Sequence, residues 1–384
     1  FHEGRLYFGG SKSRPSTIFA SRVDEFFNFN PGEGNADDAF VATLDTNQLN
    51  AIVDIISANY LQIFTTGGEF YAPQDFSDPL TPSNFIAKLQ SSHGSKENIR
   101  VQNVAGNTLF IQRQGKALNE FLYSRGEDAY TSTQISLLSS HLLATPIDMS
   151  IRRATSTDEG DRLVLINNDG SAAVYTLLRD QNIVAASKFT TDGNFLNVAT
   201  VVSDQYAVVK RTINSADKYY IELFDEDFTL DSAVSGGAAS SHSSGHLNQK
   251  TVKVIGDGVM QADVTAGSSA ITFASSTSSS YQAGLDYTVT IKTLPIEPAI
   301  KGYSSLKGFK KRVLEVNAFL NETQNLTVNG NTIPIRSFGT DNLDTAVPDF
   351  TGTKTLHGIL GYSNEGQITI GQSAPLKLHL LGMD

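Results

Sequence analysis

Along most of the chain, short runs of β-branched and aromatic residues alternate with clusters of Gly, Asn, Asp and Ser. Runs of this length bounded by turn residues predict strands. They cover Leu6 to Phe8, Thr17 to Ala20, Tyr60 to Thr65, Glu69 to Ala72, Leu109 to Gln112 and Leu163 to Ile166. The series continues through Ala173 to Leu178, Ile183 to Phe189, Asn197 to Val202, Tyr206 to Arg211 and Tyr219 to Phe224. Between them lie turn signals at Gly67-Gly68, Gln114-Gly115, Asn168-Asp169-Gly170 and Asp192-Gly193. Asp169-Gly170 reads as a hairpin turn, because both residue types tolerate positive φ. One segment departs from this pattern. Ser132 to Leu143 carries Ile135, Leu138 and Leu142 at helical spacing behind a capping Ser132 or Thr133, which predicts a helix with a core-facing stripe.

The hairpins recur coarsely. Strand starts near Leu6, Tyr60, Leu109, Leu163 and Tyr206 are spaced by about 43 to 54 residues, close to the length of a four-stranded propeller blade. An antiparallel sandwich with uneven hairpins produces the same pattern. The expectation is an all-β chain with a partial or complete β-propeller over residues 1–228.

The pattern changes after Phe228. Residues 232–246 are nearly all Ser, Ala, Gly and His, too poor in apolar groups to order independently, and read as a flexible join. A second Ser-rich stretch covers Ser275 to Ser280. Around them, Thr251 to Ile255, Ala270 to Phe273 and Tyr287 to Lys292 have the period of strands. These define a small inserted β-domain over residues 229–293. A C-terminal β-rich domain is expected over 294–384, with strands at Val313 to Leu320, Leu326 to Val328, Ile333 to Ile335, Gln367 to Ile370 and Leu376 to Leu380.

Composition narrows the function classes. The 384 residues include no Cys and no Trp, 18% are charged and 40% hydrophobic, and the formal net charge is −11. Without cysteine there is neither a disulfide framework nor a thiolate site. The acidic balance opposes broad binding to nucleic acid or anionic membranes. No apolar run reaches the length of a membrane-spanning helix, and no signal peptide is visible. The chain begins Phe1-His2-Glu3-Gly4 and enters a strand almost at once; it is read as a fragment or processed product.

Catalytic constellations are sparse. Phosphate-cradling Gly-rich loops, a G-x-S-x-G elbow and an H-E-x-x-H zinc signature are all missing. His242 and His246 lie in the Ser/Gly stretch, where no helix aligns them as metal ligands. Asp225, Glu226, Asp227 and Asp231 lack the Gly-forced turn and final bidentate acid of a calcium loop; they read as a solvated junction. Ser156 to Leu163 is similar to the S-x-D-x-G turn box of sialidase-type propellers, with Leu163 at its aromatic position, and supports a blade turn. Sugar-cleaving propellers need aromatic platforms and an arginine cluster. With no Trp to stack under a sugar, a glycan-binding or glycan-cleaving propeller rests on this single turn box and is kept as the alternative. Lys301, Lys307, Lys310, Lys311 and Arg312 form the basic concentration of the chain, suited to a partner surface or to a solvated turn. Phe309 and Tyr303 are its aromatic neighbours. Asn321-Glu322-Thr323 and Asn325-Leu326-Thr327 match glycosylation acceptors, a pattern common by chance.

Several runs resemble a known family. Arg5 to Ser21 with Asp24 to Phe29 is similar to a segment of short-tailed bacteriophage tail proteins in which two strands flank an Arg-Pro turn, here Arg14-Pro15. In the same order come Phe64 to Glu69, Leu80 to Asn84, Gln90 to Ser95, Leu137 to Leu142, His246 to Gly258, Thr293-Leu294-Pro295, Lys310-Lys311-Arg312 and Gly361-Tyr362-Ser363. The ordered series resembles the tail nozzle family, also called tail tubular protein B. That resemblance implies a non-enzymatic virion protein assembled in the host cytoplasm, forming a homo-hexameric ring. It implies a portal or adaptor ring above, fibre or tail-tip proteins beside it, and double-stranded DNA passing through, which the net charge of −11 predicts is not held tightly. It carries no catalytic, cofactor or metal residue, leaves Lys307, Lys310, Lys311 and Arg312 as possible partner contacts, and places further family sequence before Phe1.

Overall fold

The computed structural model describes the chain except residues 47–49, 74–78, 157–158, 298–304, 306, 337–344 and 359–360. Among the described residues there is no α-helix, and the chain is all-β. It divides into two compact units: Phe1–Arg211 with Lys218–Phe224, and Thr212–Asp217 with Asp225–Asp384.

The first unit is a succession of antiparallel meanders. Sheet I holds β1 (Tyr7–Ser11), β2 (Arg14–Ala20) and β3 (Phe40–Thr43). Sheet II runs β4 (Ile52–Ser57), β5 (Leu61–Thr65), β6 (Glu69–Ala72) and β7 (Lys88–Ser91). In sheet III follow β8 (Gln102–Val104), β9 (Asn107–Ile111), β10 (Leu118–Ser124) and β11 (Ala129–Gln134). Sheet IV comprises β12 (Pro146–Arg152), β13 (Asp161–Asn167), β14 (Ala172–Leu178) and β15 (Ile183–Phe189). Sheet V has β16 (Asn194–Val201), β17 (Asp204–Ile213) and β18 (Ala216–Leu223).

Period-two alternation explains how these sheets stack. Successive side chains of a strand point to opposite faces, so a sheet buried on both sides needs two apolar sets. In β5, Leu61 and Ile63 pack with Ile18 and Phe40 of sheet I, while Phe64 packs with Phe110 and Phe121 of sheet III. In β13, Leu163 and Leu165 join Leu109 and Leu118 of sheet III, while Val164 and Ile166 join Phe195 and Val209 of sheet V. Sheets II, III and IV thus each share one core with the sheet before and another with the sheet after. This serial face-to-face stack of meanders is a propeller-like arrangement. The repeat marked by Tyr60, Leu109, Leu163 and Tyr206 falls on the second strand of sheets II to V.

Several local expectations need correction. The region from Ser132 to Leu143 is not a helix: β11 ends at Gln134 and only Ser140–Leu142 makes a 3₁₀ turn. Tertiary hydrogen bonds outweigh the helical spacing, because Ile135 N–H donates to the Leu118 carbonyl and Ser136 Oγ accepts from Leu118 N–H at 2.9 Å. Leu138 of the expected core stripe is 93% exposed. The first hairpin turns at Lys12 and Ser13, and Arg14-Pro15 instead opens β2, where the missing proline N–H costs no central ladder bond. At the β13–β14 turn only Gly170 has positive φ, at 81°; Gly170 N–H closes the turn on the Asn167 carbonyl at 3.0 Å.

In the second unit, one sheet has the order β19 (Asp231–Gly236), β25 (Tyr281–Leu285), β21 (Thr251–Gly256) and β22 (Val259–Met260), with β23 (Val264–Thr265) also on β21. β20 (Ser241–His242) pairs β24 (Ile271–Thr272). The Ser/Ala/Gly stretch read as a flexible join is therefore about half strand, in β19 and β20: β19 borrows a ladder from β25, so its order does not depend on its own apolar content. A further sheet has the order β26 (Thr290–Lys292), β31 (Thr369–Gly371), β28 (Thr327–Val328), β29 (Asn331–Thr332). β30 (Phe350–His357), β27 (Glu315–Thr323) and β32 (Leu380–Met383) complete the C-terminal block around Val316, Leu320, Leu326, Val328 and Ile370.

Candidate interaction surface

Three of the segments that carry the family resemblance meet on one edge of the second unit. Residues 363–368 run between the Thr293-Leu294-Pro295 segment and the basic segment. On one side Thr293 N–H donates to the Ile368 carbonyl at 3.0 Å and Ile296 N–H to the Glu365 carbonyl at 2.9 Å. On the other, Lys311 and Ser363 exchange both backbone hydrogen bonds, at 2.7 and 2.9 Å. Lys311 Nζ donates to the Asn364 carbonyl at 3.1 Å. The Arg312 guanidinium lies 6.0 Å from the centre of the Tyr362 ring, within cation–π range.

The resulting surface mixes charge with apolar area. Lys307, Lys310 and Arg312 are exposed and Lys311 half-buried. Lys307 and Lys310 have no carboxylate partner among the described residues. Leu294 is 85% exposed, and Phe309, Leu314 and Tyr362 are also largely exposed. Exposed large apolar and aromatic side chains grouped with an arginine are features of a protein-contact surface. Leu294, Leu314 and Tyr362 were absent from the sequence-derived site, since no local pattern separates an exposed apolar residue from a core one. Lys301 and Tyr303 lie outside the described residues.

A second set of family-like segments is joined by a buried carboxylate in the first unit. The Glu69 side chain, fully buried at the start of β6, accepts from Ser91 Oγ at 2.5 Å, from Ser95 Oγ at 3.1 Å and from the His93 backbone N–H. Ser95 N–H reaches the Thr65 carbonyl at 2.7 Å. The Phe64 to Glu69 hairpin and the Gln90 to Ser95 loop are thereby one built feature. Burial pushes the Glu69 carboxyl up to about 7, although its three donors oppose the shift.

The remaining sequence candidates are placed individually. His242 Nδ1 is 2.5 Å from Tyr281 Oη, and His246 bonds Ser244 Oγ at 2.6 Å and the Ser232 carbonyl at 3.0 Å. These histidines are held by strand-flanking partners and are not loose linker residues. Burial and the neighbouring His246 lower the His242 pKa. Asp225, Glu226 and Asp227 are exposed. Within the turn box, Thr157 and Asp158 lie outside the described residues; Asp161 Oδ1 accepts from Ala154 N–H at 2.8 Å and Arg152 pairs with Glu159 at 3.4 Å. Asn321 and Asn325 are half-buried and bonded to His379 and Ser373. No group of three or more His, Asp or Glu suited to a metal ion occurs among the described residues. Nor is any helix among them long and apolar enough to cross a membrane.

No protein-family model and no curated protein matches the chain. Among solved structures, it is similar to a dihydro-heme d1 dehydrogenase, NirN, in complex with DHE, with a TM-score of 0.38 and 9% identity, covering 72% of this chain and 56% of that one. The chain thus spans about half the length of that protein. The expectation that the chain is no enzyme does not stand against this match, since the protein matched is a dehydrogenase. At this level of likeness no reaction carries over to the chain.

Proposed function

We propose that the chain is a subunit of the nozzle or hub ring in the tail of a short-tailed bacteriophage. The observation that supports this reading is the convergence of separate family-like segments: Thr293-Leu294-Pro295, Lys310-Lys311-Arg312 and Gly361-Tyr362-Ser363 share one exposed edge. In this reading six copies form a ring that extends the DNA channel below a portal or adaptor ring and holds fibre or tail-tip proteins. The ring is assembled in the host cytoplasm and carried in the virion.

The charge of −11 suits a conduit. Each phosphate neutralised by a cation tightens DNA binding and slows passage, so an acidic wall lets a duplex slide. The cations at Lys307, Lys310, Lys311 and Arg312 then serve contact with a protein neighbour, as the apolar residues among them favour. Electron microscopy of the purified chain tests the reading. A six-fold ring is expected; a monodisperse monomer at micromolar concentration overturns it. Charge reversal at Lys310, Lys311 and Arg312 together is expected to dissolve the ring while leaving the circular dichroism spectrum unchanged. Tight binding of duplex DNA by the ring at physiological salt refutes the conduit.

A further inference from the structure

We infer that the outer edge of sheet IV is a docking site for an extended peptide segment of another protein, which adds to the sheet as a fifth strand. β15 is the terminal strand of the β12-β13-β14-β15 order and, among the described residues, is bonded to β14 alone. Its free backbone groups can be assigned from the neighbouring ladders. Asn167 N–H bonds the Ser171 carbonyl at 2.8 Å, and the β13–β14 register is continuous from Ile166 and Ala172 onward. Alternation along an antiparallel ladder then directs the Ala173, Tyr175 and Leu177 backbone groups toward β13, and those of Ala172, Val174, Thr176 and Leu178 toward β15. Through the β14–β15 register, Ile183, Ala185, Ser187 and Phe189 answer them. Val184, Ala186 and Lys188 therefore present their N–H and C=O groups to the open side.

Beside this edge lies a groove of about 610 Å³, lined by Val184, Ala186 and Lys188 from β15 and by Ile135, Leu138 and Leu142 from the segment that follows β11. That segment is fastened in place, with Ser139 Oγ 3.0 Å from Tyr175 Oη and Leu142 N–H on the Ser139 carbonyl at 2.9 Å. Leu138 stands 93% exposed at the groove. A long, flat strand with unpaired backbone groups is a template for another chain, and proteins ordinarily blunt such edges with charge, proline or a bulge. β15 carries Lys188 as its one charge and neither a proline nor a bulge against β14. A free ladder flanked by an apolar trough is the arrangement of strand-addition sites, where main-chain bonds give affinity and alternate side chains give specificity.

Charge selects the occupant. Lys188 and the exposed His141 flank the groove, and among the described residues no carboxylate lines it; Asp169 is the acid that Lys188 senses from the adjoining turn. The segment that fits has large apolar side chains at alternate positions and an Asp or Glu placed to reach Lys188.

Selection of displayed random peptides of roughly nine residues on the full chain tests this. Enriched sequences are expected to alternate apolar and polar residues and to carry a carboxylate. A labelled peptide of that kind should lose about tenfold or more in affinity on Leu138→Asp, which changes an exposed side chain, and likewise on Val184→Pro, which deletes an outward N–H. Both variants should keep the thermal melt of the parent chain. Enrichment without alternation, or equal binding to parent and variants, overturns the inference. If sedimentation instead shows the chain's own self-association lost in Leu138→Asp, the occupant is a second copy and the proposed partner is wrong.

Discussion

Replacing Glu69 by glutamine should remove a specific part of the protein's pH dependence. The carboxyl is buried, bonded to Ser91, Ser95 and the His93 N–H, and raised from 4.5 to about 7. A carboxyl raised in the folded state binds a proton there that the unfolded chain has released. Its contribution to stability is therefore complete below pH 4.5, declines as pH rises, and is lost above about 7. A shift of this size corresponds to about 3 kcal/mol across the window. Glutamine is neutral throughout and retains a carbonyl acceptor, and a serine hydroxyl can rotate to accept from its amide. It forfeits roughly one hydrogen bond, about 1 kcal/mol. The variant should thus be slightly less stable than the parent near pH 4.5 and about 2 kcal/mol more stable near pH 8. Urea titrations followed by tyrosine fluorescence at a series of pH values measure the difference, and the parallel effects of Asp54 and Asp148, both also raised by burial, cancel in it. A difference that does not change with pH would refute the assignment of the proton to Glu69.

Other substitutions probe separate parts of the same physics. Gly94 has φ of 71°, and a Cβ there would stand 2.3 Å from the Thr66 carbonyl oxygen; Gly94→Ala should cost at least roughly 1–3 kcal/mol in thermal or urea unfolding. Arg211 is fully buried and grips Glu222 through two nitrogens at 2.7 and 2.6 Å, with a third bond to the Asp192 carbonyl. Arg211→Ala should destabilise the chain by about 3–5 kcal/mol, because it removes the buried guanidinium that faces the Glu222 carboxylate, and Arg211→Ala with Glu222→Ala should recover part of that loss. At Thr108, whose hydroxyl donates to the buried Gln62 carbonyl oxygen at 2.6 Å between sheets II and III, substitution by valine should cost about 1–3 kcal/mol by leaving that oxygen unpaired.

What could be read in the sequence was whatever a strand announces locally. β5, β13 and β14 are short apolar runs with turn residues on both sides, and their limits were read to within a few residues. β8, β10, β12 and β30 carry mixtures such as Gln102-Asn103-Val104 or Phe350 to His357, in which polar residues earn their places through partners on other strands. No local pattern marks them. The same reasoning explains the error at residues 232–246. Low apolar content does predict that such a segment cannot order alone, but β19 does not order alone: β25 supplies its ladder. The helix expected near Leu138 failed in the opposite sense. Its spacing is helical, yet the backbone of Ile135 is already committed to Leu118 across sheet III, and a tertiary bond that ends β11 outweighs a propensity of a few tenths of a kcal/mol per residue.

The surfaces were legible in charge and illegible in shape. Lys307, Lys310, Lys311 and Arg312 are visible as a basic run in any reading of the chain, whereas Leu294 and Tyr362 become part of the same surface only because residues 363–368 hydrogen-bond to both neighbours. The groove beside β15 is hidden more deeply still. Leu137-Leu138 and Ile183-Val184 look like core material, since apolarity in a sequence says what a residue tends to avoid and not what it touches. Distinguishing a buried strand from an open edge requires the number of ladders it joins. β5 and β13, with neighbours on both sides and a sheet against each face, use up their apolar side chains within the stack. β15 is also mostly apolar but has one neighbour among the described residues, and the surplus is left as binding capacity.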